Sequence, residues 1–191
     1  MQLLADFRTF CAQMPEPFAD FELKKHSENR FKYLVAEKSV PYFHLIGQQA
    51  SGSLICFWQY EEGIALNNQP LVWLDSEGFP RAVFANDFET FLQLLPYGTG
   101  AIYDIITAVL NSRDPSKKSK KITNLFDTNR LNSCLQTSQK SFPAHDLYLH
   151  WLDEKKLAPS LEPVSVIQSA YTQFPNLEEW LNESSRPNSR N

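Results

Sequence analysis

Short connections between apolar runs constrain the fold of this chain more than any other feature of its sequence. Residues 54–60, LICFWQY, are apolar on both alternating faces, which is typical of a central strand covered on two sides. Apolar runs near 71–75 and 81–85 follow after turn-forming segments that are shorter than the crossover of about a dozen residues that parallel strands need. The sequence therefore predicts an antiparallel meander in which strands near 43–46, 54–60, 71–75 and 81–85 pair in order.

Helical periodicity follows the predicted sheet. Asn86, with a glutamate three residues later, matches a variant of the capping box that begins a helix. Apolar residues then recur at helical spacing over 86–96 and again over 101–111. We expect these two helices to cover one face of the sheet and to leave Trp58 and Trp73 buried.

Weaker signals flank this centre. Apolar residues at near-helical spacing predict a short N-terminal helix that stops before Pro15. Residues 20–40 alternate charged and apolar side chains, which predicts extended segments. Beyond residue 122, further apolar periodicity indicates several helices, with Pro175 as a break.

The predicted fold class is α+β, an antiparallel meander sheet flanked by helices, with an all-helical C-terminal extension. The polar, proline-broken segment NSRDPSKKSKK separates the two parts and is typical of an exposed linker. The predicted parts are an α+β domain over 1–111, a linker over 112–122, a helical extension over 123–183 that packs on or beside the domain, and a disordered tail over 184–191.

Charge is divided unevenly along the chain. Residues 1–111 carry 7 Lys and Arg against 13 Asp and Glu, a net charge of −6, whereas residues 112–191 carry 11 against 9, a net charge of +2. Phosphate binding needs clustered Lys and Arg, so this distribution argues against nucleic acid as a partner of the first half. The four lysines of the linker have no interleaved aromatic residues on which bases could stack. The acidic half permits a basic partner.

Sequence motifs of catalysis and of cofactor binding are absent. The chain has no Walker loop, no Gly-x-Ser-x-Gly and no His-Glu-x-x-His, and Gly98-Thr99-Gly100 lacks the third glycine of a dinucleotide fingerprint. We therefore expect no catalytic residues and no cofactor.

One compact group of metal-capable side chains is present, formed by His145, Asp146 and His150. On a helix the two histidines would point about 140° apart, so they could not share a metal. We expect no metal site and predict surface positions for these residues. The predicted core of the same segment consists of Leu147, Trp151 and Leu152.

Cysteines and hydropathy bear on the compartment. Cys11, Cys56 and Cys134 are odd in number and far apart, which indicates neither a disulfide framework nor a zinc ribbon. The sequence has no unbroken apolar run of the signal-peptide kind and no apolar stretch approaching about 20 residues. These features predict a cytoplasmic protein that does not bind membranes.

Acidic residues border the predicted sheet. Glu61 and Glu62 follow one strand, and Asp75 and Glu77 follow the next, so the turns are expected to gather negative charge at one margin of the sheet. The alternative is that these acids serve solubility and turn formation, for which aspartate is well suited. The four residues are the candidate partner-binding site.

The central segment resembles the SUKH superfamily over roughly residues 40 to 96. The string GQQASGSLICFWQY places a glycine and a Ser-Gly turn before an aromatic strand, and PLVWLDSEGFPRAVFANDFETFLQLL adds a Pro-hydrophobic strand, a short strand and a helix of the Phe-Leu-x-x-Leu type. The residues that carry the match are Gly47, Ser51, Gly52, Trp58, Pro70, Val72, Glu77, Gly78, Ala85, Phe91, Leu92 and Leu95.

The resemblance implies an α+β domain without enzymatic activity that binds another protein. The superfamily includes the yeast cell wall assembly regulator and many bacterial immunity proteins, which typically neutralise toxins of polymorphic or contact-dependent systems. The function expected first is therefore that of an immunity protein whose partner is a toxin with a basic active site. A scaffold or regulatory interaction protein of the same fold, and an unrecognised enzyme or small-ligand binder, are the alternatives.

Overall fold

The structure, a computed structural model, describes residues 2–112 and 126–185. These residues form a five-stranded antiparallel meander and seven α-helices, several of them toward the C-terminus, which confirms the predicted α+β class. The predicted linker over 112–122, apart from Ser112, lies outside the described residues. The predicted tail also lies outside them beyond residue 185.

Within the described residues the chain forms five strands, seven α-helices and four short 3₁₀ helices. The strands are β1 Phe21–Leu23, β2 Phe43–Gln49, β3 Leu54–Trp58, β4 Leu71–Leu74 and β5 Arg81–Ala85. The helices are α1 Gln2–Gln13, α2 Phe88–Leu94, α3 Thr99–Ser112, α4 Thr128–Ser141, α5 His145–Glu154, α6 Pro163–Gln173 and α7 Leu177–Ser185. Short 3₁₀ helices lie at Glu28–Arg30, Glu37–Tyr42, Leu66–Asn68 and Leu95–Tyr97.

The strands pair in sequence order from β1 to β5, and every pair is antiparallel. The four predicted strands are confirmed, and β1 lies within residues 20–40, for which extended segments were predicted. β1 is only three residues long and pairs with the end of β2. The ring of Phe21 lies so close to Gly47 that a Cβ atom at this glycine would collide with it.

Residues 20–40 were predicted as extended segments broken by the polar run 24–30, and this prediction was wrong beyond β1. Only Phe21–Leu23 is a strand there, and two 3₁₀ helices and a turn occupy much of the rest. Phe31, Leu34 and Val35 of this segment are buried. The alternation of charged and apolar residues therefore reflects a compact turn that packs on the sheet rather than further strand.

Both faces of the sheet are buried. Side chains alternate along each strand, so strands β2 to β5 each contribute residues to both cores. Trp73 belongs to the core on the first face, and Trp58 to the core on the second, and both tryptophans are fully buried as predicted. Helices α2 and α3 contribute to the first core, together with α1 and α5. The second core is closed by residues 31–40 and by α7.

The start of α2 differs by one residue from the prediction. The N-cap residue is Asp87, whose carboxylate accepts hydrogen bonds from the Thr90 backbone N–H at 2.8 Å and from the Thr90 hydroxyl at 2.7 Å. Asn86 precedes the cap, and its side-chain oxygen is buried without a hydrogen-bond partner among the described residues. Aspartate caps as well as asparagine does, so the sequence signal was one residue out of register.

Helix α6 lies along β5, the last strand of the sheet. Its buried residues Val164 and Ile167 join the first core, and Ala170, one turn further on, joins the second. The helix thus connects the two faces across the side of the sheet. Among the described residues, no helix has the length and apolar character needed to span a bilayer.

Candidate functional site

The four acidic candidates lie at two opposite ends of the sheet. In the antiparallel pair of β3 and β4, Phe57 is opposite Leu71 and Leu54 is opposite Leu74. The connection after β3, with Glu61 and Glu62, is therefore at one end, and the turn after β4, with Asp75 and Glu77, is at the other. The expectation that all four gather at one margin was wrong, since successive strands of a meander end on alternating sides.

Asp75 is part of the structure of its turn. Its side chain is buried, and its carboxylate oxygens accept hydrogen bonds from the Ser53 hydroxyl at 3.0 Å and from the Glu77 backbone N–H at 2.9 Å. The Ser53 oxygen also accepts from the Ser76 backbone N–H at 3.3 Å. This network joins the β2–β3 and β4–β5 turns. Of the two acids that follow β4, Asp75 is buried in the network and Glu77 is exposed.

A cleft of about 490 Å³ lies between these turns and α3. Phe79 stands at its edge with 57% of its surface exposed. Asp104 of α3 also lines it and pairs with Arg130 of α4 at 3.4 Å, so part of the negative charge here is offset within the molecule. The lining comprises Gln49, Ser51, Asp75, Ser76, Glu77, Phe79, Gly100, Tyr103 and Asp104.

A second cleft of about 700 Å³ lies beside α1 and β1, and two of the acids that line it, Asp20 and Glu22, have partners within the chain. Asp20 accepts a hydrogen bond from the Thr99 backbone N–H at 2.8 Å, which ties β1 to the start of α3. Glu22 forms an ion pair with Lys24. Two acids of this cleft are therefore paired, and the third, Glu16, is exposed.

The connection after β3 presents Glu61 and Glu62 from a backbone that is held in place. Gln69 is fully buried, and its amide donates to the backbone carbonyls of Glu61 at 2.7 Å and of Ile64 at 3.3 Å. Both glutamates are exposed. Burial, followed by the charge of Glu61, raises the pKa of Tyr60.

Aromatic side chains surround this end of the sheet, and sequence reasoning did not assign them to a site. Tyr60 lies 5.2 Å from Trp58 and 5.4 Å from Phe174, measured between ring centroids. Trp180 of α7 lies 5.2 Å from Trp58 and 5.2 Å from Tyr42. We call Tyr42, Tyr60, Phe174 and Trp180 the aromatic rim, since each is only partly buried.

The histidine group of α5 is divided between core and surface. His145 is buried and its Nε2 is hydrogen-bonded to the Pro96 carbonyl at 2.9 Å, so the predicted surface position was wrong. Leu147, predicted as core, is 51% exposed. The buried stripe of α5 begins at His145 and continues through Tyr148, which places residue 147 on the outer side. His150 is exposed, as predicted, and lies 3.4 Å from Glu154.

The cysteines are free thiols. Burial raises the pKa of Cys11 to about 12 and that of the fully buried Cys56 well above its ordinary value. Cys134 is half-buried, and burial raises its pKa as well. Thiols of this kind are poor nucleophiles, because the thiolate is the reactive form. Within residues 2–112 and 126–185, no three His, Cys, Asp or Glu side chains are grouped so as to hold a metal ion.

Comparison of the chain with protein-family models, with curated proteins and with solved structures gives no match. The resemblance to the SUKH superfamily therefore stays a prediction from the residues quoted above. The two exposed carboxylates after β3 are adjacent and lie at the same end of the sheet as four partly exposed rings. At the other end, Glu77 and Phe79 are exposed and Asp104 is paired with Arg130.

Proposed function

We propose that this chain is a non-enzymatic protein-binding module of the cytoplasm, and that it acts as an immunity protein that binds and neutralises a toxin of a bacterial polymorphic or contact-dependent system. The proposal requires no cofactor. The resemblance over residues 40–96 supports it, and the exposed pair Glu61 and Glu62, held on a fixed loop, is the observation that carries it.

The mechanism follows from charge. Toxins that attack nucleic acid need basic active-site clefts, because they bind phosphate. A protein that offers carboxylates where phosphates would bind can occlude such a cleft. Residues 1–111 carry a net charge of −6, and Glu61 and Glu62 project from this acidic part of the chain. Complementary charge of this kind acts mainly on the association rate and on its salt dependence.

Charge reversal tests the proposal. The variant Glu61→Lys/Glu62→Lys should associate more slowly, on the order of tenfold at low salt, with the toxin encoded beside this gene. The difference should shrink as ionic strength rises above about 0.15 M, where exposed charges are screened. Stopped-flow measurements across ionic strength give both quantities.

The matched control reverses another pair of adjacent exposed acids, Asp153→Lys/Glu154→Lys, on α5. This variant has the same net charge but places the change away from the end after β3. It should associate close to the wild-type rate. Equal slowing in the two variants would show that net charge alone steers binding, and unchanged association in the first variant would exclude this end of the sheet.

A further inference from the structure

The aromatic rim is one connected surface built by four separate segments. Tyr42 ends the 3₁₀ helix Glu37–Tyr42, and Trp180 lies on α7, and their rings meet edge to face at 80°. Tyr60 follows β3, and Phe174 follows α6, and their rings meet at 81°. Both pairs rest on Trp58, which is fully buried and forms the floor of the rim.

Hydrogen bonds hold the segments of the rim in register. The hydroxyls of Ser39 and Ser184 lie 2.9 Å apart and join the 3₁₀ helix to α7. The Gln59 backbone N–H donates to the Tyr42 carbonyl at 2.8 Å, which fixes the tyrosine beside β3. The rim is therefore organised before any partner arrives, which lowers the entropy cost of binding.

Negative charge borders the rim on two sides. Glu61 and Glu62 follow Tyr60 directly, and both are exposed. On α7, Glu183 is exposed and lies three residues after Trp180, so the two share a helix face. The 3₁₀ helix contributes one exposed acid, Glu37, and one exposed cation, Lys38, which has an interaction of its own.

This combination has a specific chemical preference. A guanidinium or ammonium group is attracted to the face of a tryptophan or tyrosine ring, and arginine also pairs with carboxylates through parallel hydrogen bonds. Tyrosine and tryptophan are enriched where proteins meet. Neutral side chains cannot form ion pairs with the glutamates, and the glutamates repel acidic side chains. Positive charge with a flat, stackable head group fits best.

We propose that the aromatic rim, with Glu61, Glu62 and Glu183, is the surface on which a basic protein partner docks arginine side chains. The inference rests on the proposed function, since it names the surface and the partner chemistry of the same binding event. It extends that function from charge steering to a defined contact in which rings and carboxylates hold one class of side chain.

Trp180 provides an internal reporter. Of the four tryptophans in the chain, Trp58, Trp73 and Trp151 are buried, and only Trp180 is partly exposed. The full-length chain is titrated with a capped glycine peptide that carries three arginines, and with the same peptide carrying neutral citrulline. Tryptophan emission should change as the arginine peptide is added until it reaches a plateau, and it should stay constant when the citrulline peptide is added.

Calorimetric titration of variants with the arginine peptide locates the site. Trp180→Ala and the more exposed Tyr42→Ala should each weaken binding about three- to fivefold, as expected for an exposed cation–π contact. Glu61→Gln/Glu62→Gln should weaken binding and reduce its salt dependence. The matched control Phe79→Ala/Glu77→Gln removes an exposed ring and an acid at the opposite end of the sheet, and it should bind like the wild type.

Two results would overturn the inference: equal binding of the citrulline peptide, or affinity that falls in the control and not in the Tyr42 and Trp180 variants. The proposed function fails separately. If the arginine peptide binds at the rim but the neighbouring toxin is not neutralised, the immunity role is wrong and the surface stands. If the toxin is neutralised equally by the wild type and by Tyr42→Ala and Trp180→Ala, this surface is wrong and the immunity role stands.

Discussion

At the scale of the residue, the turn after β4 shows how two neighbouring acids take different roles. Asp75 is buried and accepts hydrogen bonds from Ser53 and from the Glu77 backbone, whereas the Glu77 side chain is exposed. The carboxylate of Asp75 is thus used to join two turns. Its charge contributes to the structure of the sheet end and not to an open surface.

Removing the Asp75 carboxylate should destabilise the fold. Asp75→Ala leaves the buried Ser53 hydroxyl and the Glu77 N–H without their acceptor, which costs about 1–3 kcal/mol. Glu77→Ala, the control in the same turn, should change the free energy of unfolding by less than about 0.5 kcal/mol. Urea unfolding followed by tryptophan fluorescence measures both. Equal effects of the two substitutions would contradict the role given to Asp75.

At the scale of the element, α1 at the start of the described chain packs against α5, which lies in its second half. Phe10 of α1 lies 5.2 Å from Trp151 of α5, measured between ring centroids. Beside this contact, Lys155 donates to the Asp6 carboxylate at 2.6 Å. The hydrogen bond from Lys155, followed by one from Gln2, lowers the pKa of Asp6. Helix docking here thus combines ring packing with a charged contact.

The Asp6 contact gives the stability a defined dependence on pH. Folding lowers the pKa of Asp6, so its carboxylate stabilises the folded state fully above the unfolded pKa of about 3.9. This stabilisation is lost as pH falls through the lower pKa of the folded state. The melting temperature of Asp6→Asn should therefore lie below that of the wild type at about pH 6 and converge with it as pH falls through the lowered folded pKa of Asp6. Lys155→Met should reproduce this convergence. A difference that does not vary with pH would contradict the assignment.

The elements also show what the sequence could predict. Runs such as 54–60 and 71–75 predict strands because a short segment that is apolar on both alternating faces is typical of a strand covered on two sides. β1 has only three residues, so the alternation over 20–40 could not define its bounds. Of the proposed site, the sequence pointed to Glu61 and Glu62, which are exposed, whereas Trp180 is brought against Trp58 by tertiary packing that no local pattern reports. The alternating direction of strands, which separates Glu61 from Asp75, follows from the meander itself.

At the scale of the whole molecule, the C-terminal helices complete both cores. Tyr148, Leu152 and Ile167 are buried in the first core, and Leu177 and Leu181 in the second. Each fully buried apolar side chain of this size contributes roughly 1.5–3 kcal/mol, and a domain is stable by only about 5–15 kcal/mol in total. The burial of these residues is therefore a large favourable contribution beside a small net stability, and the entropy cost of ordering the helices offsets part of it.

Residues 1–111 alone should consequently fail to fold. A chain that ends at residue 111 leaves Trp58 and Val72 of the second face without α7, and it removes α5 from the aromatic cluster of α1. Circular dichroism and tryptophan emission should show loss of the native state relative to the full chain. A cooperative thermal transition and native-like emission from the shortened chain would show instead that this segment is an independent domain.

The position of α6 along β5 has a consequence for association between chains. Strands at the sides of a sheet carry unpaired N–H and C=O groups that can template pairing with other molecules. One side of this sheet is covered by α6 and the other is the three-residue β1, so neither offers a long template. The C-terminal helices therefore protect the chain from fibril-like self-assembly, and material that lacks them should bind thioflavin T as it accumulates.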